Sequence, residues 1–322
     1  MSEAHLALVG PTASGKTAVS VALALALSAR GPAVEIVSAD AMMVYAGTTI
    51  GTAAPTLEEQ RGVPHHAIGF VDPSVESGLG LWLGEARRSV AAIEARGHRA
   101  LVVGGTGMYV QALVDEWTLP GSFADVRAQL DADPRTAAEL HAQLAALDPH
   151  AATKMEPSNR RRIVRALEVC LGSGQPFSSF GGGVDSYPAN PRWHVAGLWP
   201  SLDVLDARIE CRVAAEVEAG LVDELRALLS RPGGLSRTCR IALGYKELIP
   251  HIEDDAPLAE CMAEDVANTK RFARRQRRWF RRDPRTYWIG GDAAPVVSAA
   301  VAADPVGVAV PKLVQAWAPQ AG

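Results

Sequence analysis

The stretch "HLALVGPTASGKTAVSVALALAL", residues 5–27, constrains this chain more than any other. A short apolar run leads into a glycine-bounded loop and then into an apolar helical run. The loop fits the pattern G-x-x-x-x-G-K-[ST] at Gly10, Pro11, Thr12, Ala13, Ser14, Gly15, Lys16 and Thr17. Glycines let such a backbone curl with its N–H groups pointing inward, and the following helix N-terminus adds further donors, so that the whole cradles an anion. Lys16 supplies a point charge for the outer phosphates, and the Thr17 hydroxyl suits a magnesium ion (Mg2+). Glycine-rich sequence yields chance matches. This one follows an apolar strand and opens a helix, which is the context the motif requires.

The surrounding sequence repeats the strand–helix alternation. "VEIVSAD" reads as a strand ending in Asp40, "PHHAIGFV" as a weaker one, "LWLGEARRSVAAIEARG" as a helix, and "RALVVGGTGMYVQAL" as strand, glycine turn and helix. Continuous apolar strands alternating with helices predict an α/β fold, a P-loop-type parallel sheet core covered by helices. Ligands of such sheets lie beyond the carboxyl ends of the strands. Three features fall at such ends: the Gly10–Thr17 loop, Asp40, and Gly104-Gly105-Thr106. Residues 1–120 are expected to form the first part of the core. Residues 121–190 read as a helical insertion, closing on the Gly/Ser/Pro-rich stretch 172–191, which reads as a mobile loop. The core resumes over 191–322, with "WHVAGLWP" returning to the sheet, several helices, and "TYWIGG" as a last strand. Beyond Ala293 the Ala/Val/Pro-rich tail carries no chemical signal.

In isolation the loop suggests ATP. A hydrolytic P-loop enzyme, however, ends another core strand in an acid that holds magnesium and positions water, and here "ALVV" ends in Gly104-Gly105-Thr106. The best-placed acid is Asp40. It reads either as a helix cap or a carboxylate bound to the waters of a magnesium ion or as a general base beside the phosphate site. With Thr106 it suits removal of a proton from a nucleophile while a phosphate group leaves.

The net charge of −4 does not by itself suggest a nucleic-acid partner. Its distribution does. In "NTKRFARRQRRWFRRDPR", Lys270, Arg271, Arg274, Arg275, Arg277, Arg278, Arg281, Arg282 and Arg285 meet only Asp283 as local countercharge. At helical spacing Phe272, Gln276, Trp279 and Phe280 share a face that can dock on the core while the cations project. Solvated charged faces normally mix both signs, so this one points to polyphosphate or nucleic acid. Arg160, Arg161, Arg162 and Arg165 form a second cluster, in the helical insertion. Two separate basic surfaces suit a folded polyanion, and Arg also stacks on unpaired bases.

Taken together, "GPTASGKT" (10–17), "SADAMMVYAGTTIGTAAPT" (38–56), "VPHH" (63–66), "LVVGGTGMY" (101–109), "RRRIVRALEV" (160–169), "RIECRV" (208–213), "ALGYKEL" (242–248) and "RRQRRWFRR" (274–282) resemble one family, the tRNA dimethylallyltransferases, in the same order over roughly residues 5–290. The resemblance implies transfer of a dimethylallyl group from dimethylallyl diphosphate to N6 of the adenosine beside the anticodon (position 37), with release of pyrophosphate and with magnesium. It implies that residues 10–17 and Arg212 hold the diphosphate, with Lys16 taking part in catalysis and Thr17 at the metal. Asp40 would take the amine proton, and Thr106 would lie between leaving group and RNA. The implied contacts to the tRNA anticodon stem-loop are Asp40, Ala41, Met42, Met43 and Thr106, then Arg127, Arg161, Arg162 and Arg165, then Ile241 to Lys246 including Gly244 and Tyr245, and Arg274, Arg275, Gln276, Arg278 and Arg281. The chain departs from the family pattern at Ala41, Met43, Ala46 and Ala54, where a Ser, a polar residue, a basic residue and a Lys are usual. These changes remove hydrogen bonds or charge near the expected RNA entrance and leave the phosphate loop intact.

The chemistry agrees with that resemblance. An allylic diphosphate already carries its leaving group, so the protein has to cradle diphosphate, position an amine and accept one proton. The target base must be extruded to reach a buried site. Three other readings stay open on sequence: an adenylate prenyltransferase using free AMP, a P-loop small-molecule kinase, and an RNA-binding protein without activity. Cys170, Cys211, Cys239 and Cys261 are scattered with no CxxC pair, as in a reducing compartment. The run "AVSVALALALSA" is too short to span a bilayer. A cytoplasmic monomer with no membrane association is expected.

Overall fold

The computed structural model describes residues 4–181, 183–290 and 304–317. Six strands form a single sheet: β1 (His5–Val9), β2 (Val34–Ser38), β3 (His65–His66), β4 (Arg99–Gly104), β5 (Trp193–Leu198) and β6 (Tyr287–Ile289). Their order is β3-β2-β4-β1-β5-β6, and every pairing is parallel. All five residues of β1 and of β2 are buried, as expected where helices cover a parallel sheet. The "PHHAIGFV" stretch contributes only the two residues of β3.

The helices are α1 (Lys16–Ser28), α2 (Leu57–Gln60), α3 (Leu79–Ala95), α4 (Gly107–Val114), α5 (Ala124–Asp131), α6 (Ala137–Leu147), α7 (Pro149–Thr153), α8 (Arg160–Ser173), α9 (Leu202–Glu218), α10 (Leu221–Leu229), α11 (Arg237–Arg240), α12 (Tyr245–Glu253), α13 (Leu258–Phe280) and α14 (Pro305–Trp317). The chain divides into two compact units. One runs to Val114 and resumes at Ala189; the other is Asp115–Pro188, against sequence boundaries of 121 and 190.

In the first unit Val9 is in register with Gly104 and with Gly197, and Ser38 with Val103. The phosphate loop, Asp40 and the Gly104–Thr106 turn therefore leave the sheet at one edge. Helix α3 packs on β2 and β4 and on α4, and its Trp82 indole donates to the Ser38 carbonyl at the end of β2 (2.8 Å). The tail beyond Ala293 holds a core element. Ala309, Leu313 and Trp317 of α14, spaced four apart, are buried against α1 in the same cluster as Leu6, Leu8 and Leu198. Buried Arg99 donates to the Trp317 carbonyl.

The second unit is helical. Leu130, Leu140, Leu144, Ile163, Val164 and Leu167 form its core. Thr136 and Glu139 make a reciprocal capping box at the start of α6, a device that satisfies two orphan backbone donors. The Gly/Ser/Pro-rich stretch includes a 3-10 turn, Phe177–Phe180, pinned by Ser178 to Asp148.

Candidate active site

The phosphate loop wraps the start of α1. Gly15 is the N-cap, in the left-handed region at φ 89°, where a side chain would be strained. The first turn of α1 carries neither a capping side chain nor an acid, so its N–H groups remain available to an anion. Lys16 Nζ donates to the Pro11 carbonyl (2.7 Å) and approaches Ser14 Oγ (3.5 Å). Burial lowers the Lys16 ammonium to about 8; the Asp40 carboxylate opposes that shift and Arg212 adds to it. From α9, Arg212 donates to Thr12 Oγ1 (3.1 Å) and to Glu216 (2.6 Å). Arg208, one turn earlier, donates to the Ala13 carbonyl (3.3 Å). Sequence reasoning passed over Arg208, although its i, i+4 spacing from Arg212 puts both on one helix face.

At the end of β2, Asp40 Oδ1 accepts the Met42 N–H (2.8 Å) and the Met43 N–H (3.3 Å). The loop thereby aims the carboxylate and leaves Oδ2 for other partners. Thr106 Oγ1 accepts the Ala41 N–H (3.1 Å), and the Thr106 N–H donates to the Ala39 carbonyl. These ties use the backbone of residue 41, so alanine there supports the Asp40–Thr106 geometry as well as serine would. At the Met43 departure, the sulfur accepts the Ser38 hydroxyl (3.5 Å).

Two cavities adjoin at Asp40. One, of about 360 Å³, is lined by Ser14–Thr17, Arg208 and Arg212 at one side and by Ile36, Ile68 and Val103 at another. It joins an anion cradle to an apolar wall. The second, of about 470 Å³, is lined by Ala41, Met42, Thr106, Met108, Lys246, Arg275 and Trp279. Thr12, Asp40, Gly105, Arg212 and Gln276 border both. Asp265, at the second cavity, is pushed up to about 6 by burial and by Glu247. Among the described residues no group of three or more His, Cys, Asp or Glu is placed to hold a metal. The available donor is the Thr17 hydroxyl at the cradle, and this fits magnesium, which keeps several waters and binds through substrate phosphates with few protein ligands.

The structure redistributes the expected RNA contacts. Tyr245 is corrected: it is fully buried, its hydroxyl donates to Glu224 (2.7 Å), and Glu224 also accepts the Ile50 and Gly51 N–H groups. Its ring clamps the 50–51 loop and cannot meet RNA. Gly244 is likewise buried, its N–H held by Glu247 (3.0 Å). Arg274 forms a two-pronged pair with Asp206 (3.1 and 2.8 Å). Gln276 is 6% exposed; its Oε1 accepts the Thr12 N–H (2.8 Å) and its Nε2 donates to the Gly105 carbonyl (3.0 Å). Phe272 and Trp279, expected to dock on the core, line the second cavity, and Ala273 and Phe280 supply the packing. Arg275, Arg278 and Arg281 are exposed as expected, Arg281 lying 5.4 Å over the Trp199 ring. In the second unit, Arg161 and Arg162 are exposed. Arg165 pairs with Glu168 (2.6 Å), and Arg127 with Asp131 (2.8 Å) and Glu168 (3.7 Å).

A phosphate loop, a strand-end carboxylate and a basic helix on one parallel sheet define a P-loop group transferase. The comparisons give the family. The IPP transferase model matches residues 43–283. A Thermobifida fusca protein named tRNA dimethylallyltransferase is 43% identical, over 92% of this chain and 93% of that one; a Streptomyces coelicolor protein of the same name is 43% identical over 90% and 91%. The crystal structure of the full-length tRNA isopentenylpyrophosphate transferase from Bacillus halodurans superposes with a TM-score of 0.64 at 33% identity, covering 98% of this chain and 99% of that chain. A eukaryotic dimethylallyltransferase structure, at 23% identity and a TM-score of 0.76, shares the fold. The chain belongs to the IPP transferase family. No helix among the described residues is long and apolar enough to cross a membrane.

Proposed function

We propose that this protein transfers the dimethylallyl group of dimethylallyl diphosphate to N6 of the adenosine next to the anticodon in tRNA, releasing pyrophosphate. The observation that carries the reading is the meeting of the two cavities at Asp40: an anion cradle with an apolar wall on one side, and a chamber edged by Lys246 and Arg275 on the other. The diphosphate lies in the 10–17 loop against Lys16, Arg208 and Arg212. The extruded adenine enters from the chamber. N6 bonds to the allylic carbon as the carbon–oxygen bond breaks, and the electron pair of that bond leaves with the diphosphate. Asp40 Oδ2 takes the N6 proton. Thr106, fixed by Ala41, borders the path of the base, and its hydroxyl hydrogen is available to the departing oxygen.

Thr17 would hold magnesium at the cradle, and the ion would supply charge neutralisation for the leaving diphosphate. The RNA is held by the exposed Arg275, Arg278 and Arg281 of the core unit and by Arg161 and Arg162 of the helical unit. Action as a monomer belongs to the same reading, and a tRNA substrate fits a cytoplasmic location. Incubation with dimethylallyl diphosphate, magnesium and unmodified tRNA is expected to yield N6-prenylated adenosine in nuclease digests. Transfer to AMP but not to tRNA, or steady ATP consumption without prenyl transfer, overturns the reading.

A further inference from the structure

Gln276 sits in the arginine-rich last third of α13, yet it faces inward. Its side-chain amide joins two loops that are otherwise far apart in sequence: Oε1 accepts from Thr12 of the phosphate loop, and Nε2 donates to Gly105 of the β4–α4 turn. Each end of the bridge continues into the candidate site. Thr12 Oγ1 accepts from Arg212. Gly105 precedes Thr106, whose hydroxyl accepts the Ala41 N–H beside Asp40. The contact is close on both sides of the turn: a Cβ at Gly105 would lie 2.3 Å from Gln276 Nε2, and one at Gly107 would lie 2.0 Å from the Trp279 ring. Only glycines let the helix come this near. The outward residues around Gln276, namely Arg275 and Arg278, are exposed and have no carboxylate partner among the described residues.

We infer that Gln276 is a positioning residue that couples RNA docking on α13 to diphosphate binding in the phosphate loop. This rests on the function proposed above. Both hydrogen bonds of the amide are already made. A diphosphate in the loop holds the Thr12 end and RNA on α13 holds the helix end, so each ligand favours the geometry the other needs, and linkage requires the two effects to be equal. Without the amide the two loops keep their own contacts and lose their common reference.

The test is calorimetric titration of the full chain with magnesium pyrophosphate and with an unmodified anticodon stem-loop RNA, each alone and each in the presence of the other. For the wild type, pyrophosphate is expected to tighten RNA binding about 10-fold, in the usual range for coupled sites. In Gln276→Met, which keeps the volume and removes both hydrogen bonds, the coupling is expected to fall below about twofold. Pyrophosphate alone is expected to weaken about fivefold, as for one lost hydrogen bond; RNA alone, whose adenine chamber Gln276 also borders, is the reference against which the coupling is read. Loss of packing alone would instead weaken RNA binding and leave the coupling intact, which overturns the inference. Should Gln276→Met not fold, Gln276→Glu keeps the acceptor for Thr12 and loses the donor to Gly105. Its coupling is expected below about threefold, and wild-type coupling in either folded variant overturns the inference. Failure of the proposed function is a different result: neither pyrophosphate nor the RNA binds the wild type, and the coupling proposal falls with it.

Discussion

Replacing Asp40 with asparagine separates proton removal from binding. Asp40 Oδ1 is held by the Met42 and Met43 N–H groups at 2.8 and 3.3 Å, and an asparagine oxygen accepts both. The loop therefore keeps its path, and only the free oxygen, which receives the proton, becomes an NH2 group. A positioned general base contributes ~10²–10⁴-fold, or roughly 3–5 kcal/mol of barrier at 1.36 kcal/mol per decade. The carboxylate has a second, smaller effect. It opposes the burial that lowers Lys16 to about 8, so its loss moves the ammonium lower still. At pH 6.5, below the wild-type value of about 8, this second effect is smaller than at neutral pH, and donor affinity is expected to change by less than about threefold. Rapid-quench single turnover at pH 6.5, with tRNA and dimethylallyl diphosphate both saturating, is expected to show the ~10²–10⁴-fold loss, with binding measured separately. A single-turnover rate within about threefold of wild type refutes the assignment of Asp40 as base.

The same Lys16 value sets a pH dependence. The ammonium is present below its folded-state value of about 8 and is lost as pH rises through it, so kcat/KM for the donor is expected to fall above pH 8, and at lower pH in Asp40→Asn; a flat profile to pH 9.5 counts against it. Arg275→Ala and Arg278→Ala are each expected to lower the slope of log K for tRNA against log salt by about 1, read by filter binding. Tyr245→Phe removes one of three hydrogen bonds to Glu224 and is expected to cost about 1–2 kcal/mol in denaturant unfolding, with tRNA affinity unchanged; lost affinity without lost stability would restore Tyr245 to the RNA surface. Leu313→Ala, in the α14 core, is expected to cost about 2–5 kcal/mol, and an unfolding midpoint equal to wild type would show that α14 is dispensable.

Much of this was legible in the sequence because it depends on local order. The phosphate loop, the strands ending at Asp40 and Gly104, and the helices of the insertion are written in short-range patterns: glycine placement, apolar runs and 3.6-residue periodicity. The tail was passed over for a related reason. Its signal, Ala309, Leu313 and Trp317 at every fourth position, carries packing but no chemistry, and it identifies a core helix only once α1 is there to receive it.

Sequence by itself determined which residues stand at the strand ends and where the cations concentrate. Periodicity put Gln276 on the face of the basic helix that docks on the core, but it could not say what that side chain, or Tyr245 of α12, would meet there. Gln276 and Tyr245 lie among residues that resemble an RNA-binding surface, and both point inward, because their polar atoms are taken up by partners far away in the chain: Thr12 and Gly105 for one, Glu224 for the other. A buried polar group is stable only where such partners satisfy it. Those partners are brought together by the tertiary fold alone, and so are the two cavities that meet at Asp40.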